Sequence, residues 1–260
     1  MNPGAADGPT FLGIGAQKSG TTWLYKMLAA HPGIGMLPGK EAHFWDHRWP
    51  AGVSMADYVA QFAALEAPVK GEITPAYGIL PGSTIAVLRA HFPALRLVYL
   101  MRNPVERAWS QARMELAMLR HKGREVAPGA VPQWLIAHLA SRKSVERGDY
   151  AACLDRWLAL YPREQMKTFV YEEFFAAPRS GLQACCRHLG ADPDFYDAVS
   201  DQALATVVVP ERELLALEPE ALPARCPPEY RGALIARYAP MVRRLEDRLG
   251  RDLSALWGLT

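Results

Sequence analysis

A glycine-containing loop near the N-terminus carries residue types that bind phosphate. It runs from Gly15 to Thr22 as Gly-Ala-Gln-Lys-Ser-Gly-Thr-Thr, after a short apolar run and before a helical pattern. A turn of this form presents several backbone N–H groups and a helix N-terminus to an anion. Lys18 adds a positive charge inside the loop. The spacing therefore predicts a binding site for a phosphate group.

The loop departs from the Walker pattern of nucleoside triphosphatases, G-x-x-x-x-G-K-[ST]. Both glycines and Thr22 fit, but Thr21 stands where the pattern has its lysine, and the apolar run Leu95–Met101 ends in Arg102 and not in an aspartate. The missing parts serve magnesium-assisted transfer from nucleoside triphosphates. A sulfuryl group in transit carries less negative charge than a phosphoryl group, so one lysine near the bridging oxygen could suffice, and no metal site is expected. An ATP-dependent small-molecule kinase is the alternative.

The segment Gln17–Leu24, QKSGTTWL, resembles the donor loop of sulfotransferases that use 3′-phosphoadenosine 5′-phosphosulfate (PAPS). The resemblance implies that five loop residues hold the 5′-phosphate of the donor: Lys18, Ser19, Gly20, Thr21 and Thr22. It also implies that Lys18 approaches the leaving oxygen as the S–O bond breaks. Trp23 is either a donor-site aromatic, as in some family members, or a core residue, as its helical periodicity indicates.

A second motif follows the clear strand pattern Leu95–Met101. Arg102 stands at the carboxyl end of that strand, where open α/β sheets bind their ligands, and Ser110 falls about two helical turns later. A guanidinium and a hydroxyl suit phosphate binding. The pattern R-x-P-x-x-R-x-x-S after a strand resembles the family's 3′-phosphate motif, which implies that role for Arg102 and Ser110. We expect Glu106 to act in helix capping and Arg107 to lie on the surface.

Attack of an acceptor on sulfur needs a base, and the segment Gly39–Trp45 offers two candidates. If this segment is extended, Glu41 and His43 point to one side and Lys40 to the other. The pattern K-E-x-H-F-[FW] resembles the heparan sulfate sulfotransferase branch, in which the glutamate is taken as the base. Glu41 is therefore the preferred base and His43 the alternative.

The segment Val69–Tyr77 resembles an E-x-T-P-x-Y segment at the acceptor cleft of the same branch. Glu72 within it has either a structural role or a substrate contact, and the aromatic Tyr150 is a candidate to face the donor. Other aromatic side chains near the motifs permit a small hydrophobic alcohol, a phenol or a sugar as acceptor, although several must be core. These aromatic residues are Phe44, Trp45, Trp49, Tyr77, Trp109 and Trp134.

The elements that position these motifs alternate between strands and helices along the chain. Strands are predicted at Thr10–Ala16, Val69–Ile73, Leu95–Met101 and Gln165–Tyr171. Helices are predicted at Thr21–His31, Met55–Leu65, from Ser83, and at Pro104–Leu119, Val131–Arg147, Tyr150–Leu160, Arg179–Leu189 and Tyr230–Leu249. This alternation predicts an α/β fold with a P-loop-like, mostly parallel sheet flanked by helices on both faces. We expect a flexible N-terminus over residues 1–9 and one sulfotransferase domain over residues 10–260.

Composition allows a globular enzyme and gives little support to other classes. The chain has 260 residues, 50% of them hydrophobic, and a formal net charge of +2, too small to argue for a nucleic-acid or membrane partner. The four cysteines lack metal-ligand spacing, and we expect reduced thiols. Met1–Pro9 lacks a basic signal region, and no apolar run reaches the length of a membrane span. We therefore expect a cytoplasmic protein; its oligomeric state is left open.

The resemblance is weaker toward the C-terminus. Family members usually have a late basic loop, such as a K-G-R triplet, that closes over the 3′-phosphate, and residues 207–228 contain only Arg212 and Arg225 without it. This absence and the modest net charge weaken any assignment of heparan sulfate as acceptor. The resulting hypothesis is in-line transfer of a sulfuryl group from PAPS to a hydroxyl or amine of a small-molecule or carbohydrate acceptor, with adenosine 3′,5′-bisphosphate (PAP) as the product.

Overall fold

The computed structural model describes residues 8–206 and 222–259, which divide into two compact units. The first unit comprises the described residues up to Met101 and from Asp155 onward to residue 206. The second comprises Arg102–Leu154 and the described residues from 222 onward. Arg212 lies outside the described residues, as do most of residues 1–9. The predicted single domain over residues 10–260 stays a prediction.

Five strands and twelve α-helices are described, and shorter helical turns lie between them. The strands are β1 (Phe11–Gly15), β2 (Ile34–Met36), β3 (Val69–Ile73), β4 (Arg96–Met101) and β5 (Met166–Val170). The helices are α1 (Thr21–Ala29), α2 (Met55–Ala63), α3 (Gly82–His91), α4 (Pro104–His121), α5 (Val131–Ala140), α6 (Arg142–Glu146), α7 (Tyr150–Leu158), α8 (Tyr171–Ala176), α9 (Pro178–Leu189), α10 (Asp201–Ala205), α11 (Pro228–Leu249) and α12 (Ser254–Trp257). Among these described helices, none is long and apolar enough to cross a membrane.

The sheet belongs to the first unit and is parallel throughout. Its strand order is β2-β3-β1-β4-β5, so β1 pairs with both β3 and β4. Strand β1 and, after the exposed Arg96, strand β4 are apolar and buried on both faces, as expected for a parallel sheet covered by helices. Helices α1 and α9 bury apolar side chains against one face, including Leu24, Leu28 and Leu182. The α/β class, the parallel sheet and its flanking helices were all predicted correctly.

The carboxyl ends of the central strands lie side by side. Gly15 of β1 pairs with Tyr99 of β4, and the amide of Ala16 donates to the carbonyl of Leu100 at 2.7 Å. The amide of Thr74, just after β3, donates to the carbonyl of Gly13 at 3.0 Å. The loops that follow β1 and β3 therefore start from one edge of the sheet, the edge at which α/β folds bind ligands.

Helix α4 opens the second unit and begins as the sequence predicts. Asn103 caps it, its side-chain oxygen accepting from the amides of Val105 at 3.0 Å and Glu106 at 3.4 Å. The Glu106 carboxylate differs from the expected capping box, because it pairs with Arg231 at 2.7 Å and accepts from the amide of Cys226 at 3.2 Å. Glu106 thus bonds to residues of a distant part of the chain and not to the first turn of its own helix.

Arg107 is not the surface residue that the sequence suggested. Its side chain is 0% exposed and donates to Gln111 Oε1 at 2.8 Å and to the carbonyl of Ser144 at 2.7 Å, with Tyr238 Oη at 3.5 Å. These partners belong to α4, α6 and α11, so the guanidinium joins three helices of this unit. Both terminal nitrogens are paired, as burial of a guanidinium requires, whereas Nε has no hydrogen-bond partner among the described residues.

Other differences between the predicted and observed elements are small. The helix predicted over Val131–Arg147 is two helices, because Ser141 is extended (φ −62°, ψ 143°) and caps the second one through the amide of Ser144. Strand β2 and the short helices α8, α10 and α12 were not predicted. Cys153, Cys185, Cys186 and Cys226 are all buried, and none of them forms a disulfide in the structure.

Candidate active site

The loop between β1 and α1 has the backbone shape that an anion site requires. Lys18 (φ 69°) and Gly20 (φ 80°) both adopt the left-handed conformation, which turns the chain from the sheet edge into the first turn of α1. A Cβ atom at residue 20 would lie 2.6 Å from a ring atom of Phe175, so both conformation and space require glycine there. Alternation of right- and left-handed residues aims successive N–H groups at one point.

Ser19 supplies a hydroxyl to the same loop. It is 0% exposed, and its Oγ has no hydrogen-bond partner among residues 8–206 and 222–259. Buried polar groups of a native protein are almost always paired, so an unpaired hydroxyl inside an anion loop fits a bound oxyanion that accepts from it. Lys18 and Thr22 are half-buried and Thr21 is buried. The residues of this loop therefore fit a phosphate group.

Trp23 faces the core of the first unit. It is 3% exposed, its indole N–H donates to the carbonyl of Leu204 at 3.2 Å, and its ring makes edge contacts with Phe174 and Phe175. Its polar atom and its faces are thus occupied by protein. The structure supports the core interpretation of Trp23 and not the donor-site one.

Arg102 and Ser110 belong to the second unit. Arg102 is half-buried and directly precedes the capping residue of α4, whereas Ser110 is half-buried within that helix. The hydroxyl of Tyr150 donates to the carbonyl of Arg102 at 2.7 Å and lies 3.4 Å from its amide. Tyr150 is 1% exposed and supports the backbone of Arg102 through this hydroxyl.

The segment that carries the candidate base is not extended. Lys40 (φ 65°) and His43 (φ 48°) are left-handed, and a π-helical turn, Phe44–Arg48, follows. The prediction that Lys40 points away from Glu41 and His43 is therefore wrong, because the two left-handed residues turn the chain back on itself. The ammonium of Lys40 pairs with Glu41 Oε1.

Glu41 and His43 are next to each other, and a second acid completes the cluster. Glu41 Oε2 lies 3.2 Å from His43 Nε2, and Asp46 Oδ2 lies 2.9 Å from His43 Nδ1. The side chain of Glu41 is 33% exposed to solvent and that of His43 is 39% exposed, so both are accessible. Asp46 was missed from the sequence, although its position three residues after His43 was a usable signal once a helical turn is assumed there.

Glu72 lies beneath this segment and is fully buried. Its carboxylate accepts from the hydroxyls of Tyr58 at 2.9 Å, Tyr77 at 2.8 Å and Thr74 at 2.5 Å, and from the amide of Ala42 at 3.2 Å. Burial raises the pKa of Glu72 above its usual value, and these hydrogen bonds offset part of that rise. A carboxylate with four protein donors and no exposure favours the structural role over a substrate contact.

Tyr77 extends this support to the next residues of the segment. Its hydroxyl accepts from the amide of Phe44 at 3.0 Å and lies 3.5 Å from the amide of Trp45. The ring of Phe44 stacks on that of Tyr58 with centroids 4.2 Å apart. Glu72 and its two tyrosines therefore fix the backbone over residues 42–45, and with it the position of Glu41 and His43.

Most of the aromatic residues considered for the acceptor are core. Phe44, Trp45, Tyr77 and Trp109 are at most 1% exposed, whereas Trp49 and Trp134 are half-buried. The exposed side chains of the base segment are mainly charged or imidazole groups. The aromatic platform suggested by the sequence is thus reduced to two tryptophans.

Known sulfotransferases match both the sequence and the fold. Heparan sulfate glucosamine 3-O-sulfotransferase 6 of Homo sapiens is 28% identical over 167 residues, 62% of this chain and 46% of that protein. The membrane-associated sulfotransferase kil1 of Dictyostelium discoideum is 34% identical over 114 residues, 43% of this chain and 24% of that protein. The chain therefore spans less than half the length of these two curated relatives.

Two solved structures extend the match to the fold. The crystal structure of a sulfotransferase from Alicyclobacillus acidocaldarius has a TM-score of 0.71 at 27% identity and covers 96% of this chain and 98% of its own. Mouse sulfotransferase SULT7A1, complexed with PAP, has a TM-score of 0.54 at 17% identity, covering 92% and 85%; at this identity the likeness concerns the fold alone. The sulfotransferase domain family matches residues 9–207. The family predicted from the sequence is confirmed: this chain belongs to the sulfotransferase family.

Proposed function

We propose that this domain transfers the sulfuryl group of PAPS to a hydroxyl or amine of a small-molecule or carbohydrate acceptor and releases PAP. The observation that carries the proposal is the loop Gly15–Thr22. It combines a helix N-terminus, a lysine and the buried, unpaired Ser19 hydroxyl at the carboxyl edge of a parallel sheet. Membership of the sulfotransferase family supports the same donor.

The donor-binding roles follow the order of the motifs. Bound PAPS supplies an activated sulfuryl group, whose bond to the 5′-phosphate oxygen breaks as the acceptor atom bonds to sulfur. We assign the backbone of residues 18–22 and the hydroxyls of Ser19, Thr21 and Thr22 to the 5′-phosphate. Lys18 neutralises the charge that develops on the leaving oxygen, a role that acts mainly in the transition state. Arg102 and Ser110 are assigned to the 3′-phosphate on the family resemblance.

Glu41 is the better candidate for the base. Both ring nitrogens of His43 face carboxylate oxygens, Nε2 towards Glu41 and Nδ1 towards Asp46. An imidazole engaged at both nitrogens has no lone pair directed at an acceptor. Glu41, one-third exposed, can take the acceptor proton.

The acceptor is proposed only as a class. Heparan sulfate glucosamine 3-O-sulfotransferase 6 carries heparan sulfate in its name, but this chain spans only 46% of that protein and has a formal net charge of only +2. An uncharged alcohol, a phenol, an amine or a sugar is therefore within the proposal. We also place the domain in the cytoplasm, and four buried cysteines outside any disulfide support such a reducing compartment.

Isothermal titration calorimetry tests the donor. We expect PAP to bind without magnesium and ATP to bind much more weakly, because ATP has no 3′-phosphate. Magnesium-dependent binding of ATP together with no binding of PAP would establish the kinase alternative and refute the proposal. A screen of alcohols, phenols, amines and sugars with labelled PAPS then identifies the acceptor class.

A further inference from the structure

Three side chains at the π-helical turn Phe44–Arg48 converge on one point that the transfer reaction does not use. One ligand atom each from His43, Asp46 and His47 lie within 4.8 Å of one another. Asp46 Oδ2 is 2.9 Å from His43 Nδ1 and 3.3 Å from His47 Nε2. Residues three and four apart on a helical turn share a face, so the turn itself brings the two imidazoles to one side.

Two of the three separations between these atoms are close to those of a metal site. Ligand atoms bound at about 2.0–2.1 Å to a tetrahedral Zn²⁺ are about 3.3 Å apart. The separation of Asp46 and His47 already has this value, and that of Asp46 and His43 is a few tenths of an ångström shorter. The side chain of His47 keeps 71% of its exposure, so its ring can adjust without moving the core.

The surroundings of His43 fit the role of a metal ligand. A histidine that binds a metal almost always donates its other ring N–H to a carboxylate or carbonyl oxygen, which fixes the tautomer. Here Nδ1 faces the point of convergence, and Nε2 lies 3.2 Å from Glu41 Oε2. Glu41 would thus be the carboxylate that orients the ligand.

Asp46 gives an independent reason to place a cation here. Its other oxygen, Oδ1, is buried and has no hydrogen-bond partner in the described part of the chain. Unpaired buried carboxylate oxygens are uncommon because they lose the solvation that stabilises their charge. A cation held by this carboxylate would compensate for that loss.

We propose that His43, Asp46 and His47 bind one divalent transition-metal ion of the Zn²⁺ and Co²⁺ class. Two imidazoles and one carboxylate favour these ions, whereas Mg²⁺ and Ca²⁺ prefer all-oxygen sites. Three protein ligands leave a fourth position for water. When the metal binds Nδ1, any proton on that nitrogen is released and the remaining ring proton sits on Nε2, directed at Glu41.

A consequence for activity follows if the proposed base is correct. An N–H held on Glu41 Oε2 by the metal-bound imidazole occupies the oxygen that would take the acceptor proton. Zn²⁺ therefore inhibits the transfer reaction. This consequence rests on the proposed function, whereas the metal site itself does not.

Binding of Co²⁺ and Zn²⁺ to the full chain without a polyhistidine tag tests the site. We expect one Co²⁺ per chain with the visible absorption of a four-coordinate ion and without a thiolate charge-transfer band, and displacement of Co²⁺ by Zn²⁺. His47→Ala should weaken Zn²⁺ binding by about tenfold or more. The matched control, His121→Ala, removes an exposed histidine outside the cluster and should leave the affinity unchanged.

The ratio of turnover with and without Zn²⁺ then separates the site from the proposed reaction. Zn²⁺ should lower turnover in the wild type and in His121→Ala, and much less in His47→Ala. Equal Zn²⁺ affinity in His47→Ala and in the wild type, or a cobalt spectrum with thiolate ligands, would overturn the site. Failure of PAP to bind would instead refute the proposed function and leave the cobalt result to stand by itself.

Discussion

The phosphate loop, residues 15–22, and the base segment, residues 40–47, belong to the same unit but are held in shape in different ways. The loop takes its shape from backbone conformation, with Lys18 and Gly20 left-handed and Ser19 buried. The base segment takes its shape from a buried acid beneath it, because Glu72 and Tyr77 bind the amides of residues 42, 44 and 45. The loop should therefore tolerate changes around it, whereas the base segment depends on groups that never meet the substrate.

Removing the base should have the largest effect. Glu41→Gln keeps the size of the side chain but cannot take a proton at neutral pH, and we expect kcat to fall by about 10²–10⁴-fold. PAP affinity, measured by calorimetry, should not change, since the loop does not depend on this residue. Glu66→Gln, on an exposed carboxyl of the same unit, is the control. Full turnover in Glu41→Gln would remove Glu41 from the mechanism.

Removing the loop charge comes next. Lys18→Ala leaves the backbone N–H groups in place, so PAP should still bind, while kcat should fall by about 10²–10³-fold through lost stabilisation of the leaving oxygen. Lys26→Ala, on the exposed face of α1, controls for the general loss of a positive charge. A loss of PAP affinity as large as the loss of kcat would mean that Lys18 binds ground and transition states alike.

The two regions also differ in how far the sequence could predict them. Strand, glycines and helix start are local signals, so the position of the loop between β1 and α1 was predicted. Trp23 could be assigned to the core only through its contact with Leu204. In the base segment the residue types were evident from the sequence, but the left-handed conformation of Lys40 and His43 was not. The hydrogen bond from the amide of Ala42 to Glu72 joins positions about thirty residues apart, which periodicity does not reveal. The prediction that Arg107 lies on the surface was wrong for the same reason, because the side chain donates to Ser144 on another helix. Pairing between distant residues has no periodic signature.

Loss of the tyrosine hydroxyl beneath the base segment should have an intermediate effect. Tyr77→Phe leaves the amide of Phe44 without its acceptor and Glu72 with one donor fewer. We expect a loss of stability of about 1–3 kcal/mol in urea unfolding. We also expect kcat to fall by about tenfold, because the position of Glu41 is no longer fixed.

Tyr161→Phe separates these two effects. It removes another buried tyrosine hydroxyl of the same unit, which donates to the carbonyl of Phe92 at 3.2 Å and does not contact Glu72. Stability should fall by a similar amount while kcat is kept. If both variants lose the same fraction of kcat, the support of the base segment by Tyr77 is refuted and the effect is one of general stability.

The pH dependence of stability should show the smallest effect and isolate Glu72 itself. Burial raises the pKa of Glu72, so the folded protein binds this proton more tightly than the unfolded one. The contribution of Glu72 to stability is then fully present below its unfolded pKa and is lost as pH rises through its folded pKa. The difference in free energy of unfolding between the wild type and Glu72→Gln should fall with increasing pH from about pH 4 upward, by at most about 1.4 kcal/mol per pH unit. Glutamine does not titrate, so the other ionisable groups cancel in this difference. A difference that rises with pH would mean that the four hydrogen bonds outweigh burial, and that Glu72 supports the base segment as a stabilised anion.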